Sequence, residues 1–451
     1  MQKFLMLTST AFLLVGTGCS NAPGPAVSGA KLYENFTLID GSGRDAVPNA
    51  AIVVNEGLVR YAGPKSGAPK LANAERVDWS GKFVMPGIIN LHSHLGNTKG
   101  LVNDPKNYTR ENLTAHLQTL ANYGVTSVIS MGSDQDIVLT VREEQRKDDK
   151  PKVARLFTAY RGFTGPEGYP TKAPGMKGVP FEVSKVEEVE KAVKVLAERK
   201  VDIVKIWVDD HLGIEKKISM EMCKAIIENA HKNNLKVGAH IFYLDDAKTL
   251  VGYGLDALLH SVRDKPVDDE LIKLMKEKGA WQAASTVTRE MSTFVYAKPA
   301  PFLDDPFFTK AVSKEVIDAL KSDASMKKVS DSHDAKVFPG FTDTAKKNLK
   351  KIVDSGVKYA FGSDTGGAPN RFFGYFEHWE MELMAEAGVT PGQIISSFSK
   401  NAAEFLGAKK LGTIEDGHFA DFVVLAKNPL EDIKNTRSIE QVFIAGEKVN
   451  Q

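Results

Sequence analysis

The alternation of strand-like and helix-like segments constrains this chain more than any other feature. Eight apolar, strand-like segments are separated by stretches long enough for a helix, and they lie at 83–94, 125–131, 153–160, 201–208, 236–241, 255–261, 280–285 and 357–362. Repeated strand and helix units imply parallel strands with right-handed crossovers, and eight such units close into a barrel. The sequence therefore predicts an α/β fold centred on a (β/α)8 TIM-type barrel at 83–407.

Short strands and turns flank the predicted barrel on both sides, at 31–82 and 408–451. Because neither flank shows helical periodicity, we predict a small β-sandwich domain built from both termini. Two further segments, 163–181 and 288–339, are longer than ordinary loops and follow the third and seventh strands. Barrel enzymes place substrate loops at these strand ends, so we expect active-site walls or lids, with surface embellishment as the alternative.

The N-terminus has the features of an export signal. A positive charge precedes an apolar run at 4–15, which is too short to span a membrane, and small residues precede Cys19. We predict a signal segment at 1–19 and a flexible tether at 20–30. The segment resembles a bacterial lipoprotein signal that would leave a lipid on Cys19, although Gly16 departs from that pattern. The alternative is cleavage after Ala22, and either route exports the chain, to the periplasm or to a lipid anchor in the cell envelope.

Composition excludes several classes of partner. The 451 residues carry a formal net charge of +1, with 42% hydrophobic and 25% charged residues, so nothing indicates nucleic acid or an anionic membrane surface. Only Cys19 and Cys223 are present, which excludes a disulfide framework. The predicted partner is therefore a small-molecule substrate. The only predicted membrane contact is the N-terminal lipid. A homo-oligomer is compatible with this composition.

Four histidines and one aspartate end predicted barrel strands. His92 and His94 are one residue apart and project to the same side of their strand, while His240 and His260 end two neighbouring strands. Each alone is typical of a core histidine, but four at equivalent positions indicate a metal site. Asp364 follows the eighth strand, where an oxygen ligand beside imidazoles suits zinc or a similar ion. A helix cap is the alternative for Asp364, and its position favours a ligand and base.

Lys205 lies in the fourth predicted strand, within an apolar run. A buried ammonium group is costly, and desolvation favours the neutral amine. A neutral amine can add carbon dioxide to form a carbamate, which is a bidentate anion able to bridge two metal ions. The alternative is an ion pair with one of three nearby acids, Asp202, Asp209 and Asp210.

Together, the motifs VMPGIINLHSH, VDIVKIW, GAH, LLH, GSDT and LGTIEDGHFADFVVL resemble those of the amidohydrolase superfamily, in its imidazolonepropionase-like and prolidase-like branch. The resemblance covers nearly the whole chain after the tether. It implies two divalent metal ions, with zinc favoured, and a carbon dioxide adduct on Lys205 that bridges them. It further implies that His92, His94 and Asp364 hold the first ion and that His240 and His260 hold the second. True imidazolonepropionases lack this lysine, which speaks against that activity.

Three further residues are candidates for contacting the substrate. Tyr243, three residues after His240, is placed to stabilise an oxyanion or to meet a carboxylate, with a core tyrosine as the alternative. Arg263 and Arg161 follow strands six and three, where a guanidinium group can bind a carboxylate in bidentate fashion. Structural ion pairs are the alternative for both arginines.

The favoured function is hydrolysis of an amide bond in a dipeptide or an N-acyl amino acid by a binuclear metal centre. Because such a centre accepts several electrophiles, hydrolysis of cyclic amides, lactones or phosphoesters is the enzymatic alternative. The alternative from another class is a non-catalytic envelope lipoprotein that keeps the barrel as a binding scaffold. The complete ligand set argues against that third interpretation.

Overall fold

A computed structural model describes residues 29–449 of the chain. The predicted signal segment and nearly all of the predicted tether therefore lie outside the described residues. Across 29–449, no helix combines the length and the apolar character that crossing a membrane requires.

Parallel strands form the barrel, as the alternating pattern predicts. One sheet contains the strands Ile88–Ser93, Val125–Ser130 and Arg155–Thr158. A second sheet contains the strands Phe163–Thr164, Phe181–Glu182, Val204–Trp207, Val237–His240, Ala257–Leu258 and Trp281–Gln282. The eighth segment joins its neighbours through single bridges, from Gln282 to Tyr359 and from Ser93 to Thr365. The fold is thus an α/β barrel of the TIM type, but no continuous ladder closes it within the described residues.

Helices connect these strands and cover the barrel. Side-chain caps begin several of them: Thr109, Ser219 and Asp268 each accept a hydrogen bond from the backbone N–H three residues later. The connecting helices are Arg110–Asn122, Ile137–Asp148, Val186–Glu198, Met220–Lys232, Leu244–Gly252, Asp269–Lys278, His333–Asp354 and Tyr375–Glu386. Beyond the barrel, the helices Pro391–Ser396 and Ala402–Leu406 are joined by a π-helical turn at Ser397–Asn401.

The long segment after strand seven is mostly helical. It contains the helices Val287–Met291, Pro306–Thr309, Lys314–Lys321 and Asp323–Asp331. Several of its aromatic side chains pack against the helix Tyr375–Glu386 in a buried cluster that includes Tyr296, Phe302 and Phe308. The following helix begins at His333, because Ser332 caps it, and it continues through Pro339, where the sequence suggests a helix break.

Strands from both termini form one eight-stranded sheet, here called the terminal sheet. Its strands are Lys31–Leu38, Val47–Asn55, Leu58–Pro64, Glu75–Asp78, Phe83–Pro86, Phe422–Leu425, Ile439–Ile444 and Glu447–Lys448. Since the pairing gives one sheet and not two, the β-sandwich arrangement stays a prediction. Both termini do contribute, as the sequence suggests.

The boundary between the terminal sheet and the barrel lies at Gly87. The strand Phe83–Pro86 pairs with Phe422–Leu425, whereas Ile88–Ser93 pairs within the barrel. Reading 83–94 as one barrel strand is therefore wrong. A Cβ atom on Gly87 would lie 2.0 Å from Thr126 Oγ1, so only glycine fits where the chain passes between the two sheets.

Candidate active site

The carboxyl ends of the barrel strands bring the predicted ligands together at one place, here called the barrel mouth. One possible ligand atom from each of His92, His260 and Asp364 lies within 4.8 Å of the other two, and all three residues are buried. His94 Nε2 lies 3.1 Å from Asp364 Oδ1. The ring of His240 stacks edge-on against that of His260, with 4.0 Å between their centroids.

Each of two mouth histidines is fixed through one ring nitrogen. His92 Nδ1 lies 3.1 Å from the carbonyl oxygen of Leu259, and His260 Nδ1 lies 2.6 Å from Thr286 Oγ1. His260 Nε2 is buried and has no hydrogen-bond partner among residues 29–449. Burial holds the pKa of both imidazoles well below the usual value, so both are neutral. A neutral imidazole with one nitrogen fixed and the other unpartnered has the form of a metal ligand.

Lys205 is fully buried beside these histidines. Its Nζ atom lies 3.3 Å from His92 Nε2, and burial lowers the pKa of the amine to about 7. Each of the three acids considered as alternative partners contacts another residue. Asp202 pairs with Arg142 and Arg146, Asp209 pairs with His240, and Asp210 accepts a hydrogen bond from Tyr243.

The side of the mouth beyond His240 is a compact cluster of charges. His240 Nε2 lies 2.7 Å from Asp209 Oδ2, which leaves Nδ1 as the ring nitrogen available to a metal. Burial lowers the pKa of His240 to about 3. Arg263 is fully buried, lies 3.1 Å from Glu290 Oε1 and covers the ring of Phe242. Arg263 is therefore part of the wall, which agrees with the ion-pair alternative for this residue.

The structure does not bring the other two predicted substrate residues, Tyr243 and Arg161, to the barrel mouth. Tyr243 donates its hydroxyl to Asp210 at 2.7 Å, and the Lys217 ammonium lies over its ring. Arg161 lines a separate surface cavity together with Tyr160. Neither placement supports contact with a substrate carboxylate.

Two residues at the mouth adopt left-handed backbone conformations. Asp364 has φ 59° and Thr286 has φ 54°, and a β-branched residue in this region is a strained outlier. Such strain persists where the surroundings over-determine the backbone. Asp364 presents its carboxylate to the histidines, and Thr286 holds His260, so both strained residues are part of the site.

Two buried glutamates of the helix Tyr375–Glu386 hold the neighbours of these strained residues. Glu377 accepts hydrogen bonds from both flanks of Asp364, namely the hydroxyls of Ser363 and Thr365, at 3.2 and 2.6 Å. Glu380 accepts the backbone N–H groups of Val287 and Thr288, just after Thr286, at 3.0 and 2.7 Å. Burial raises the pKa of both carboxyl groups. The helix therefore fixes the ends of strands seven and eight together.

Sequence patterns alone did not identify two arginines beside Asp364. Arg371 Nη1 lies 2.5 Å from Asp364 Oδ2, and Arg289 Nε lies 3.8 Å from the same oxygen. Burial opposes ionisation of Asp364, yet Arg371 and the histidines hold its pKa well below the usual range. Asp364 is thus an anion at neutral pH. Arg371 reaches it because a tight turn folds residues 364–371 back, with Gly366 N–H bonded to the Arg371 carbonyl.

A narrow cavity opens onto His94, His240 and Asp364. The predicted loop at 163–181 forms one of its walls through Tyr169 and Met176, which supports the expectation of an active-site wall. The cavity volume is about 60 Å³.

The donor set at the mouth fits one or more divalent metal ions. It consists of four imidazoles, one carboxylate and one amine of lowered pKa, and all of these residues except His94 are buried. Nitrogen and oxygen ligands of this kind suit zinc, and the unpartnered Nε2 of His260 gains a partner when an ion binds.

Comparison with known proteins agrees with this geometry. The Amidohydrolase family matches residues 83–449. An ochratoxinase from Aspergillus niger is 25% identical over 435 residues, covering 88% of this chain and 81% of the relative. A Xaa-Pro dipeptidase structure with bound methionine superposes with a TM-score of 0.72 at 21% identity, covering 93% of this chain and 99% of that one. The structure of the A. niger ochratoxinase gives a TM-score of 0.68 at 21% identity, covering 93% and 96%. At such identities the structures establish the fold.

Proposed function

Because this chain belongs to the amidohydrolase family and is a metal-dependent enzyme acting on carbon–nitrogen bonds, we propose that it uses two divalent ions to cleave dipeptides or N-acyl amino acids. The observation that carries the two-ion proposal is Lys205. Its Nζ atom is fully buried, 3.3 Å from His92 Nε2, and burial lowers its pKa to about 7. An amine that is neutral in half the molecules near pH 7 is competent to add carbon dioxide.

In the proposed assignment, the ligand residues divide between two ions. His92, His94 and Asp364 would hold one, His240 and His260 would hold the other, and Lys205, as a carbamate, would contribute to both. A contact on one ring nitrogen supports a ligand role for each histidine, since Leu259 fixes His92, Ser133 fixes His94 at 2.9 Å, Asp209 fixes His240 and Thr286 fixes His260. Such outer contacts orient ligand rings. Zinc is the proposed metal.

In this proposal, a residue of the chain itself transfers the proton during hydrolysis of the amide bond. When bound, divalent ions lower the pKa of water and polarise the scissile carbonyl. Asp364 is an anion at neutral pH, and one of its oxygens lies near His92 and His94 while the other is bound to Arg371. We assign to Asp364 the proton that the attacking water loses, which it passes to the leaving nitrogen as the amide bond breaks.

The related proteins support amide substrates. The ochratoxinase and the Xaa-Pro dipeptidase are named for the substrates that they hydrolyse. The aromatic and apolar wall formed by Tyr169, Met176 and Trp207 suits an apolar side chain near the scissile bond. Hydrolysis of cyclic amides, lactones or phosphoesters in place of linear amides would contradict the proposed substrate class.

A library of dipeptides and N-acyl amino acids, screened with zinc-loaded protein, tests the proposal. We expect release of a free amino acid, about two metal ions per chain, and a carbamate carbon signal after labelling with ¹³C-bicarbonate. In Lys205→Ala, the carbamate signal should be absent and turnover should fall at least about 100-fold, since a metal ligand is lost. Unchanged turnover in Lys205→Ala would contradict the bridging role. Cleavage of lactones or phosphoesters alone would replace the substrate class.

The export signal also remains a proposal, based on the sequence. We propose that the mature protein is attached to the cell envelope through Cys19. A Cys19→Ser variant should then leave the membrane fraction, and its retention there would contradict a lipid anchor.

A further inference from the structure

We propose that Arg371 and Asn97 determine substrate specificity by binding the leaving-group end of the substrate. In this assignment Arg371 binds a carboxylate, and the side-chain oxygen of Asn97 accepts an N–H group. The inference rests on the proposed amide hydrolysis and assigns its preference for free carboxylates to two residues.

Arg371 has unused hydrogen-bond donors at the narrow cavity of the barrel mouth. Its Nη1 atom donates to Asp364 Oδ2 at 2.5 Å, and its Nε atom donates to Ser292 Oγ at 3.2 Å. Its Nη2 atom donates to no partner in the part of the chain that the structure describes, residues 29–449. Arg371 lines the same cavity as Asp364 and His94. Two unused N–H groups on a guanidinium beside the proposed ligands match a carboxylate.

Asn97 supplies the complementary acceptor. Its side chain is about nine-tenths buried and lines the same cavity. The Nδ2 atom donates to the Ser133 carbonyl at 3.2 Å, which fixes the orientation of the amide. The Oδ1 atom is buried and accepts no hydrogen bond within residues 29–449. A buried, unpartnered acceptor is costly, and a substrate N–H group would relieve that cost.

Local contacts hold these two residues beside the proposed ligands. Ser133 contacts His94 through its hydroxyl and Asn97 through its carbonyl, so the two side chains share a support. The Thr98 hydroxyl donates to the carbonyl of Gly366, which joins the segment of Asn97 to the turn of Arg371. Both groups therefore keep fixed positions relative to the reacting bond.

The charges of the mouth favour an anionic substrate. Three guanidinium groups, two of them buried and that of Arg371 slightly exposed, form one network with three buried carboxylates: Arg263, Arg289 and Arg371 with Asp209, Glu290 and Asp364. Because these charges cancel, bound divalent cations would leave the mouth positive, even with a carbamate on Lys205. A substrate carboxylate would lower this excess positive charge, whereas a carboxamide would not.

The ratio of kcat/KM for a free acid to kcat/KM for its C-terminal carboxamide tests this inference. We use the best-cleaved library member and its amide, and expect wild type to prefer the acid about 100-fold, the size of a charged hydrogen-bonded contact. In Arg371→Met the ratio should collapse to about one, and Arg371→Lys should restore part of it. Because loss of Arg371 also disturbs Asp364, the kcat/KM values for the acid and for the amide should both fall, but their ratio reports only on recognition of the carboxylate.

In Asn97→Ala, KM should rise about 10-fold for both compounds with a smaller change in kcat.

Calorimetric titration of zinc-loaded protein with L-phenylalanine and L-phenylalaninamide provides a readout independent of turnover. Wild type should bind the acid more tightly, and Arg371→Met should lose that preference, while Arg44→Met, on the exposed surface of the terminal sheet, should keep it. If no library member is cleaved, the proposed function fails, and the titration still tests recognition. Equal cleavage or equal binding of acids and amides would overturn this inference. Loss of the preference for acids in Arg161→Met, and not in Arg371→Met, would also overturn it. In both cases the proposed amide hydrolysis would stand.

Discussion

His260 of the barrel mouth and His378, on the helix Tyr375–Glu386, differ in one respect that separates function from packing. Both are buried, and burial lowers the pKa of both, to about 3 for His378. His378 uses both ring nitrogens, since Thr436 Oγ1 lies 2.9 Å from Nδ1 and Nε2 donates to the Tyr123 carbonyl at 2.9 Å. His260 uses only Nδ1. Between these two histidines, incomplete hydrogen bonding, and not burial or pKa, therefore distinguishes the proposed ligand.

The same contrast applies to the acids of that helix. Glu380 is fully buried and binds the strand end that carries Thr286, whereas Glu382 forms an ion pair with Arg437 at 2.5 Å. One helix thus serves the mouth with one face and the C-terminal segment with another. Substitutions on the two faces should separate metal binding from folding.

The largest expected effect comes from exchanging the two histidines for asparagine. His260→Asn removes a proposed ligand, so turnover should fall at least about 10³-fold and metal content should drop, with little loss of metal-free stability. His378→Asn leaves Thr436 and Tyr123 with poorer partners, so stability should fall by about 1 to 3 kcal/mol while metal content stays at the wild-type level. Metal analysis and denaturant unfolding of both variants give the comparison.

Each variant is the control for the other in this experiment. If His378→Asn lost metal while His260→Asn kept it, the assignment of ligands from unpartnered nitrogens would be wrong. If both variants merely unfolded, the contrast between a ligand and a structural histidine would be lost.

Much of the site could be predicted because it depends on strand ends. Side chains at the carboxyl ends of parallel barrel strands converge whatever the loops do, so four histidines, Lys205 and Asp364 could be placed from the chain order alone. The eight strand-like segments predicted the TIM-type barrel for the same reason. The chain order alone could not locate the passage at Gly87, because a strand can continue or change sheets without altering its apolar pattern.

Residues that reach the mouth from loops and from a neighbouring helix could not be predicted. Arg371 arrives through a tight turn, and its distance from Asp364 depends on backbone angles that no periodicity records. Glu377 and Glu380 are acids within an aromatic and Met-rich helix, a signal that was available. Their partners depend on the packing of that helix. Arg263 is a case in which the sequence left two interpretations open, a substrate contact after a strand end or an ion pair, and the structure pairs it with Glu290.

The second prediction separates the two acids of the helix. Glu380→Gln keeps one acceptor oxygen but turns an NH₂ group toward either the Val287 or the Thr288 amide, so the strand end that carries Thr286 should loosen. Metal affinity should fall by about 10-fold to 100-fold, which is the usual loss when a residue that supports a ligand is changed. Glu382→Gln, the matched control, should lower stability slightly and leave metal affinity unchanged. Equal metal affinity in both variants would show that Glu380 supports only the fold.

The smallest effect is the pH dependence of stability contributed by His378. Its pKa is about 3 in the folded protein, against an ordinary value of 6.5, so between these values only the unfolded chain binds the proton. The stabilisation is complete above pH 6.5 and declines as the pH falls toward 3. His378→Gln lacks this titration, so the stability advantage of wild type over the variant should shrink by about 2 kcal/mol between pH 7.5 and 5. Denaturant unfolding at both pH values measures the difference, and a constant gap would show that His378 takes up its proton equally in the folded and unfolded chain.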